Sequence, residues 1–254
     1  MNNTFRVATW NLDRSGVRKK SRIEQQIRKL AAVDADLLIL TETHESIKPN
    51  GYDYYLASEP EAGYHHPGES CVGIWSRYPL TKIPTDADNR YLTTCAEING
   101  PTGIGNVIVY GTIITYGADG VSDKSAEPWA RHRAAVKSQA AEWNTLKQSY
   151  PDHLRIIAGD FNENLDGKRW YGVKDAKEAI QSGLAMAGMH CPTEAKSISL
   201  LTGENTLSRS TVDHICVSDT AKVLRVLAWE GNESGTTLSD HNGILVDIEI
   251  THNN

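Results

Sequence analysis

A glycine, a carboxylate and a carboxamide end an apolar run near the middle of the chain, in the segment Ala158-Gly159-Asp160-Phe161-Asn162. Alternate side chains of an extended backbone point to the same face, so Asp160 and Asn162 are expected to lie side by side. Open α/β sheets bind ligands beyond the carboxyl ends of their strands, and the segment therefore indicates a functional site. Taken alone, it is also explained by a Gly-Asp turn that simply closes a strand.

Other strand-like segments also lead into polar residues. The run Phe5–Trp10 is followed by Asn11 and Asp13, and the apolar run Leu37–Leu40 is followed by Thr41 and Glu42. The remaining polar residues of this kind are Tyr116, the pair Asp213-His214 and the segment Ser239-Asp240-His241-Asn242. Each residue alone is explained by a turn or a cap, whereas carboxylates gathered at one sheet edge repel each other unless a cation neutralises them.

The donor atoms in these segments suit a particular chemistry. Oxygen ligands from Asp, Glu and Asn favour a hard cation such as Mg²⁺ or Mn²⁺. Such a cation stabilises charge on phosphoryl oxygens, while a carboxylate or a His–Asp pair orients and deprotonates water. The combination therefore points to hydrolysis of a phosphate ester.

The pattern of apolar residues predicts an α/β chain of short strands with a few helices. Helices are predicted from the capping box Ser21-Arg22-Ile23-Glu24, from near Pro128 to Tyr150-Pro151, and from about Asp175 to Ala187. Strands are predicted at Phe5–Trp10, Leu37–Leu40, Cys71–Ser76, Leu92–Ile98, Asn106–Thr115, Arg155–Ala158, Val212–Val217, Val223–Trp229 and Ile244–Ile250. No repeat or linker interrupts them, and we expect a single catalytic domain over residues 1–254.

Composition narrows the functional classes. With 39% hydrophobic and 23% charged residues the chain can bury a core, and its net charge of −6 argues against coating nucleic acid by bulk electrostatics. It contains no apolar run of transmembrane length, and the N-terminus leaves no room for a signal peptide. Four widely spaced cysteines read as reduced, buried thiols. We therefore expect a cytoplasmic monomer without a protein partner.

Six short motifs resemble, in order, those of the endonuclease/exonuclease/phosphatase superfamily. They are Thr9-Trp10-Asn11-Leu12-Asp13, Leu40-Thr41-Glu42, Thr115-Tyr116, Gly159-Asp160-Phe161-Asn162, Val212-Asp213-His214 and Ser239-Asp240-His241. The resemblance spans nearly the whole chain. It implies a two-sheet α/β sandwich of the deoxyribonuclease I type, with mixed, mostly antiparallel sheets flanked by helices and the site at one edge.

The resemblance also implies a role for each matching residue. Glu42 would be the main ligand of Mg²⁺ or Mn²⁺, and Asn11, Asp13 and Asp240 would lie nearby. Asp160 would align the attacking water, and Asn162 would hold a phosphate oxygen. His241, oriented by Asp213, would contact the scissile phosphate or act as a base, with Tyr116 near the phosphate or leaving group.

Departures from the family pattern bear on the substrate. Thr41 replaces the usual glutamine before the glutamate. The segment Ser210-Thr211-Val212-Asp213 lacks the aromatic-Arg-Leu-Asp sequence of abasic-site endonucleases, and no arginine follows Tyr116 closely. An abasic-site specificity is therefore disfavoured, and the fuller substrate motifs of inositol phosphatases and sphingomyelinases are also missing.

The loop Lys168-Arg169-Trp170-Tyr171 is the predicted substrate-binding segment. Its two cations could grip a backbone phosphate while an aromatic ring stacks on a base. Alternatively, Trp170 and Tyr171 begin the core face of the following helix.

The leading functional hypothesis is a divalent-metal-dependent phosphodiesterase, an endo- or exonuclease with a DNA or RNA substrate. The alternative is the same chemistry on a phospholipid, nucleotide or sugar phosphate. A non-catalytic binding module is disfavoured because Glu42, Asp160 and His241 are all present. A serine hydrolase is disfavoured because Ser239 and His241 are too close in sequence, and no Gly-x-Ser-x-Gly motif occurs.

Overall fold

The computed structural model describes residues 4–15, 20–101, 103–119, 127–168, 170–203, 205–233 and 235–250. The helices are α1 (Lys20–Val33), α2 (Ala130–Ser149) and α3 (Lys174–Met186), with one turn of 3₁₀ helix at Pro192–Glu194. The strands are β1 (Thr4–Asn11), β2 (Leu37–His44), β3 (Tyr54–Ala57), β4 (Glu69–Ser76), β5 (Leu80–Ile83), β6 (Thr93–Asn99), β7 (Asn106–Ile113), β8 (Leu154–Asp160), β9 (Met189–His190), β10 (Ser199–Leu200), β11 (Asp213–Ser218), β12 (Val223–Trp229), β13 (Asn232–Glu233), β14 (Thr236–Thr237) and β15 (Gly243–Glu249).

Two mixed sheets contain most of the strands. The seven-stranded sheet has the order β10-β12-β15-β1-β2-β4-β3, and the six-stranded sheet has the order β5-β6-β7-β8-β11-β9. Near the centre of each sheet lies a parallel pair, β1 with β2 and β7 with β8, while most other neighbours are antiparallel. The parallel pairs bring the carboxyl ends of their strands together at one edge of each sheet.

The core has three layers of apolar contact, because alternate side chains of a strand face opposite sides. One layer fills the space between the sheets and includes Val7, Ile39 and Ile156. The outer face of the seven-stranded sheet packs against α1, and the outer face of the six-stranded sheet packs against α2 and α3. The predicted two-sheet sandwich flanked by helices is confirmed.

Burial on both faces explains why strands such as Leu37–Leu40 read as continuous apolar runs rather than alternating ones. The four cysteines are free and buried, as the sequence predicted. Among the described residues, no helix combines the length and apolar character needed to cross a membrane.

Two predicted helix starts are wrong. Helix α1 already includes Lys20, so Ser21 lies inside its first turn and does not cap it. Pro128 precedes the N-cap residue of α2, Trp129, which has a φ of 68°. The sequence pattern also missed short strands, among them Tyr54–Ala57 and Leu80–Ile83, because these edge strands are only four residues long and partly exposed, so neither shows a clear alternation.

Candidate active site

The carboxyl ends of β1, β2 and β8 meet at one place. Asn11 lies opposite Thr41 in the parallel pairing of β1 with β2. The side-chain amide of Asn11 donates from Nδ2 to Glu42 Oε1 at 3.2 Å and to Asp160 Oδ2 at 3.1 Å. One carboxamide therefore connects the two sheets at the point where the sequence analysis placed the site.

Asp160 is buried and held by Asn162. The backbone N–H of Asn162 donates to Asp160 Oδ1 at 2.8 Å. Asn162 Nδ2 donates both to Asp160 Oδ2 at 3.3 Å and to the carbonyl oxygen of Ile114 at 2.9 Å. Both amide hydrogens of Asn162 thus point into the protein. In this arrangement Asn162 positions Asp160, and its predicted contact with a phosphate oxygen stays a prediction.

The pKa of Asp160 is raised to about 7, chiefly by burial and also by the carboxylates of Asp213 and Glu42, against the lowering effects of His241 and of the Asn162 N–H. A carboxylate with a pKa near neutrality can exchange a proton with water at physiological pH. This is the property required of a general base.

His241 and Asp213 form a close ionisable pair beside Asp160. His241 Nδ1 lies 2.7 Å from Asp213 Oδ2, and Asp213 itself pairs with Asp160 in the antiparallel register of β11 with β8. Burial alone would lower the pKa of His241, but the charges of Asp213 and Asp160 raise it to about 10. The imidazole is therefore protonated at neutral pH and leaves Nε2 as a donor for an anion.

The backbone around His241 is anchored to β1. Ser239 Oγ donates to the carbonyl oxygen of Asn11 at 2.6 Å and accepts the N–H of His241 at 3.0 Å. The indole N–H of Trp10 donates to the carbonyl oxygen of His241 at 3.1 Å. Ser239 thus orients the loop, which accounts for its place beside His241 without a nucleophilic role.

The donor set fits a hard divalent cation. Ligand atoms of Asp160, Asp213 and His241 lie within 4.8 Å of one another, and Asp213 Oδ1 is buried without a hydrogen-bond partner. The Glu42 carboxylate is 31% exposed and contacts the same Asn11 amide as Asp160. Crowded carboxylate oxygens, one of them unpaired, are what Mg²⁺ or Mn²⁺ requires.

The other predicted metal ligands lie less centrally. Asp13 pairs with the guanidinium of Arg22, with Oδ2 and Nη2 2.6 Å apart. The Asp240 side chain is 71% exposed, and its Oδ1 is 4.0 Å from His241 Nε2. The structure groups Glu42 and Asn11 with the catalytic residues more closely than Asp13 and Asp240.

Unusual backbone conformations cluster here. Six described non-glycine residues have positive φ, and four of them, Asp13, Arg14, Glu42 and Asn162, belong to this edge. Such conformations persist only where surrounding contacts enforce them, and they concentrate at functional sites. Gly159 has a φ of 141°, and a Cβ added there would lie 1.9 Å from the carbonyl oxygen of Thr112. The glycine before Asp160 is therefore required by the close pairing of β7 with β8.

Tyr116 lies three residues beyond the end of β7 and is 49% exposed. Its side chain lines a cavity together with Glu42 and Asn162. The tyrosine is therefore placed where a substrate at the carboxylates would extend.

The predicted substrate loop is linked to the His241 segment through Arg209. Trp170 is 42% exposed, and the guanidinium of Arg209 lies 5.2 Å from its ring centroid. Arg209 also donates to the carbonyl oxygen of Asp240, next to His241. Lys168 is exposed, with Nζ 3.5 Å from Asp166 Oδ2. Arg169 lies outside the described residues.

Trp170 and Tyr171 do not begin the core face of a helix, because α3 starts only at Lys174. Tyr171 instead packs on Trp129 with ring centroids 5.5 Å apart. Sequence reasoning missed Arg209, since a lone arginine between two serines gives no signal of stacking on a distant tryptophan.

A fully buried pair, His132 and Glu163, was also missed. His132 Nδ1 contacts the carbonyl oxygen of Thr115 at 2.5 Å, and its Nε2 lies 3.3 Å from Glu163 Oε1. Glu163 Oε1 accepts the N–H of Val173 at 2.8 Å. The pair therefore ties the residue before Tyr116 to the residue after Asn162.

Replacing Glu163 by alanine is expected to lower the free energy of unfolding by about 2 kcal/mol, because it leaves the Val173 N–H without its acceptor and removes the carboxylate that faces His132 and Lys177. Urea denaturation measures this change. The control is Glu178→Ala, which removes only an exposed pair with Lys174 and should leave stability unaltered. Equal denaturation midpoints for the two variants would contradict the role of the buried pair.

Comparison with solved structures agrees with this architecture. An endonuclease/exonuclease/phosphatase from Beutenbergia cavernae DSM 12333 has a TM-score of 0.65 and 18% identity, covering 98% of this chain and 72% of that chain. The endonuclease domain of TRAS1, a telomere-specific non-LTR retrotransposon, has a TM-score of 0.58 and 16% identity, covering 97% of this chain and 99% of that chain. A humanized D. rerio TDP2 carrying 14 mutations has a TM-score of 0.66 and 17% identity, covering 98% of this chain and 100% of that chain.

These identities establish similarity of fold alone. None of the curated protein sequences compared with the chain matches it significantly. The sequence model of the Endonuclease/Exonuclease/phosphatase family, in contrast, matches residues 8–241, from β1 to His241. The chain therefore belongs to the endonuclease/exonuclease/phosphatase family, whose members are phosphoester hydrolases.

Proposed function

We propose that this protein is a Mg²⁺- or Mn²⁺-dependent phosphodiesterase that cleaves DNA or RNA. The observation that carries the proposal is the buried group of Asp160, Asp213 and His241 beside the partly exposed Glu42. This group combines a carboxylate with a pKa near 7, a protonated imidazole and oxygen ligands for a divalent cation.

The proposed roles follow from the contacts. A divalent cation held by Glu42 and Asn11 would stabilise negative charge on the phosphoryl oxygens. Asp160 orients the attacking water and accepts its proton, and Asn162 fixes the Asp160 carboxylate by two hydrogen bonds. The His241 imidazolium, held at Nδ1 by Asp213, donates from Nε2 to a phosphate oxygen.

Nucleic acid is favoured as the substrate class by the exposed surface beside His241. Lys168 and Arg209 supply positive charge, and Trp170 supplies an exposed ring on which a base can stack. Similarity of fold to the TRAS1 endonuclease domain is consistent with this class.

The same chemistry on a nucleotide, phospholipid or sugar phosphate is the alternative. The net charge of −6 and the small-molecule dimensions of the cavity at Tyr116 favour it. The two functions are distinguished by measuring hydrolysis with Mg²⁺ of single- and double-stranded DNA and RNA, abasic DNA, nucleotides and phospholipids. Cleavage of nucleic acid by the wild type but not by Asp160→Asn supports the proposal. Hydrolysis of small phosphoesters alone would replace it with the alternative.

Glu42→Gln is expected to raise the Mg²⁺ concentration needed for half-maximal activity by about tenfold or more, because an amide is a weaker ligand than a carboxylate for a hard cation. A Mg²⁺ titration of initial rates measures the shift. The control is Glu45→Gln, an exposed carboxylate three residues further along the same segment. An unchanged Mg²⁺ requirement in Glu42→Gln would remove Glu42 from the metal site.

A further inference from the structure

A cavity of about 520 Å³ opens beside the proposed catalytic residues on the side of Tyr116. Glu42, Asn162 and Tyr116 line its near end, whereas Asp213 and His241 are not among its described lining residues. Its far walls come from the segment around Asn89 and Tyr91 and from α2. The volume lies within the range of pockets that hold a small organic group.

The far wall is held in place by buried contacts. Asn89 is 3% exposed, and its Nδ2 donates to Ser138 Oγ at 2.9 Å and to Glu142 Oε2 at 2.7 Å, both on α2. The buried side chains of Ile113 and Ala135 form the apolar floor. The cavity is thus built into the fold and does not depend on closure around a ligand.

Tyrosine rings surround the opening. Tyr64 is 50% exposed and Tyr116 is 49% exposed, although both rings are large and apolar. The guanidinium of Arg14 lies 4.2 Å from the ring centroid of Tyr64, and that of Arg90 lies 4.4 Å from the ring centroid of Tyr91. Exposed aromatic rings held by stacked cations are suited to stacking on a flat ring of a ligand.

The charge of the cavity opposes a second phosphate group. Its ionised side chains are four carboxylates and two guanidinium groups, namely Glu42, Glu61, Asp88, Asp119, Arg14 and Arg131. Arg131 is paired with Asp119 at 3.4 Å, and Arg14 lies at the Glu42 end, 3.5 Å from that carboxylate. Beyond Arg14, a phosphate would face Glu61 and Asp88, and the other guanidinium among the described lining residues, that of Arg131, is already paired with Asp119. The far end therefore suits a neutral group.

The surface beside His241, outside the described lining of the cavity, has the reverse character, since Arg209 is an exposed cation that contacts Asp240 and Trp170, and the exposed Lys168 lies two residues before Trp170. A polyanionic strand is accommodated there. The two sides together require a substrate with phosphates in one direction and a neutral ring in the other.

We propose that the cavity binds the nucleobase of a terminal nucleoside, so that the protein removes residues from a strand end instead of cutting within a strand. This inference rests on the proposed nuclease function and adds the position of cleavage to it. Tyr64 and Tyr91 stack on the base, and Glu61 and Asp88 exclude a phosphate that continues the chain.

The test compares four DNA substrates of one sequence with Mg²⁺, each cleaved by the wild type, Tyr91→Ala and Tyr91→Phe. The substrates are a linear single strand, the same strand with a base-free residue at each end, the same strand with a phosphate at each end, and a closed circle. Stacking of a base on an aromatic ring is expected to make the linear strand about tenfold faster than the base-free strand. Tyr91→Ala should abolish that ratio, and Tyr91→Phe should retain it.

The control is Tyr54→Ala, an exposed tyrosine on β3 outside the cavity, which should behave as the wild type. The strand with terminal phosphates should be cut more slowly, Asp88→Asn should recover part of the loss, and the circle should stay intact. Rapid cutting of the circle would overturn the end specificity while leaving the nuclease function in place. Failure to cut any of the four DNA substrates or their RNA counterparts would overturn both.

Discussion

Replacing Asp160 by asparagine is expected to reduce the turnover number by about 10³-fold, because the variant retains the shape of the side chain but has no group that accepts a proton from water. Asp160 is 2% exposed and lies within reach of Asn11, Asn162 and Asp213. Its pKa is raised to about 7, chiefly by burial. Steady-state kinetics at saturating Mg²⁺ measures the loss.

The control for this variant is Asp152→Asn, which changes an exposed carboxylate in the turn before β8 and should keep the wild-type rate. Thermal unfolding of both variants verifies that the protein remains folded. A turnover number for Asp160→Asn within a factor of about ten of wild type, below the ordinary range for losing a general base, would assign water activation to another residue.

The pH dependence of the wild type belongs to the same prediction. Asp160 accepts a proton only when ionised, and its raised pKa of about 7 places this ionisation near neutrality. The kcat/KM value should therefore rise with pH up to about 7, and a bound divalent cation moves the midpoint to lower pH because it favours the ionised carboxylate. Asp160→Asn should lack this rise.

Replacing His241 by alanine is expected to reduce the turnover number by about 10³-fold as well, because it removes the cationic donor that faces the phosphate. The pKa of about 10 means that the imidazole carries its proton throughout the neutral range. Activity of the wild type should consequently fall as the pH approaches 10, since the proton on His241 is then lost.

The contact between His241 and Asp213 can be tested with single and double variants. Asp213→Asn should also slow turnover, because the 2.7 Å contact with His241 Nδ1 keeps the imidazole charged and oriented. Adding Asp213→Asn to His241→Ala should lower the turnover number little further, because the effects of substituting residues that act as a unit are not additive. The control His190→Ala, at a 41% exposed histidine paired with Asp219, should be neutral. Fully additive losses would show that Asp213 and His241 act separately.

The sequence allowed the fold and the centre of the site to be predicted because both depend on local patterns. Apolar runs that lead into Asn11, Glu42 and Asp160 reveal where the polar residues begin. The parallel pairing of β1 with β2 then brings Asn11 and Glu42 together, and the packing of the two sheets places Asp160 beside them. Gly159 supported the prediction of a site at Asp160, since only a residue without a side chain fits its close contact with Thr112.

The remaining features depend on contacts between distant segments. His132 and Glu163 look like solvent-facing residues in the sequence, yet both are fully buried and lie 3.3 Å apart between α2 and the loop after β8. Arg209 is brought to Trp170 only by the loop that precedes β11. The cavity at Tyr116 is assembled from segments as far apart as Arg14 and Asn162, and its far wall, around Asn89 and Tyr91 and on α2, carries none of the six motifs.

The most direct test of the proposed role of Asp160 is single-turnover cleavage of a labelled single-stranded oligonucleotide by excess protein, with Mg²⁺ and with chelator. This format separates the chemical step from product release. If Asp160 activates water in a metal-dependent site, the wild type should cleave the oligonucleotide with Mg²⁺ and should lose that cleavage with chelator. Cleavage by Asp160→Asn with Mg²⁺ should be about 10³-fold slower. Equal rates for the wild type and Asp160→Asn, or rates that do not respond to chelator, would contradict a metal-dependent site built on Asp160.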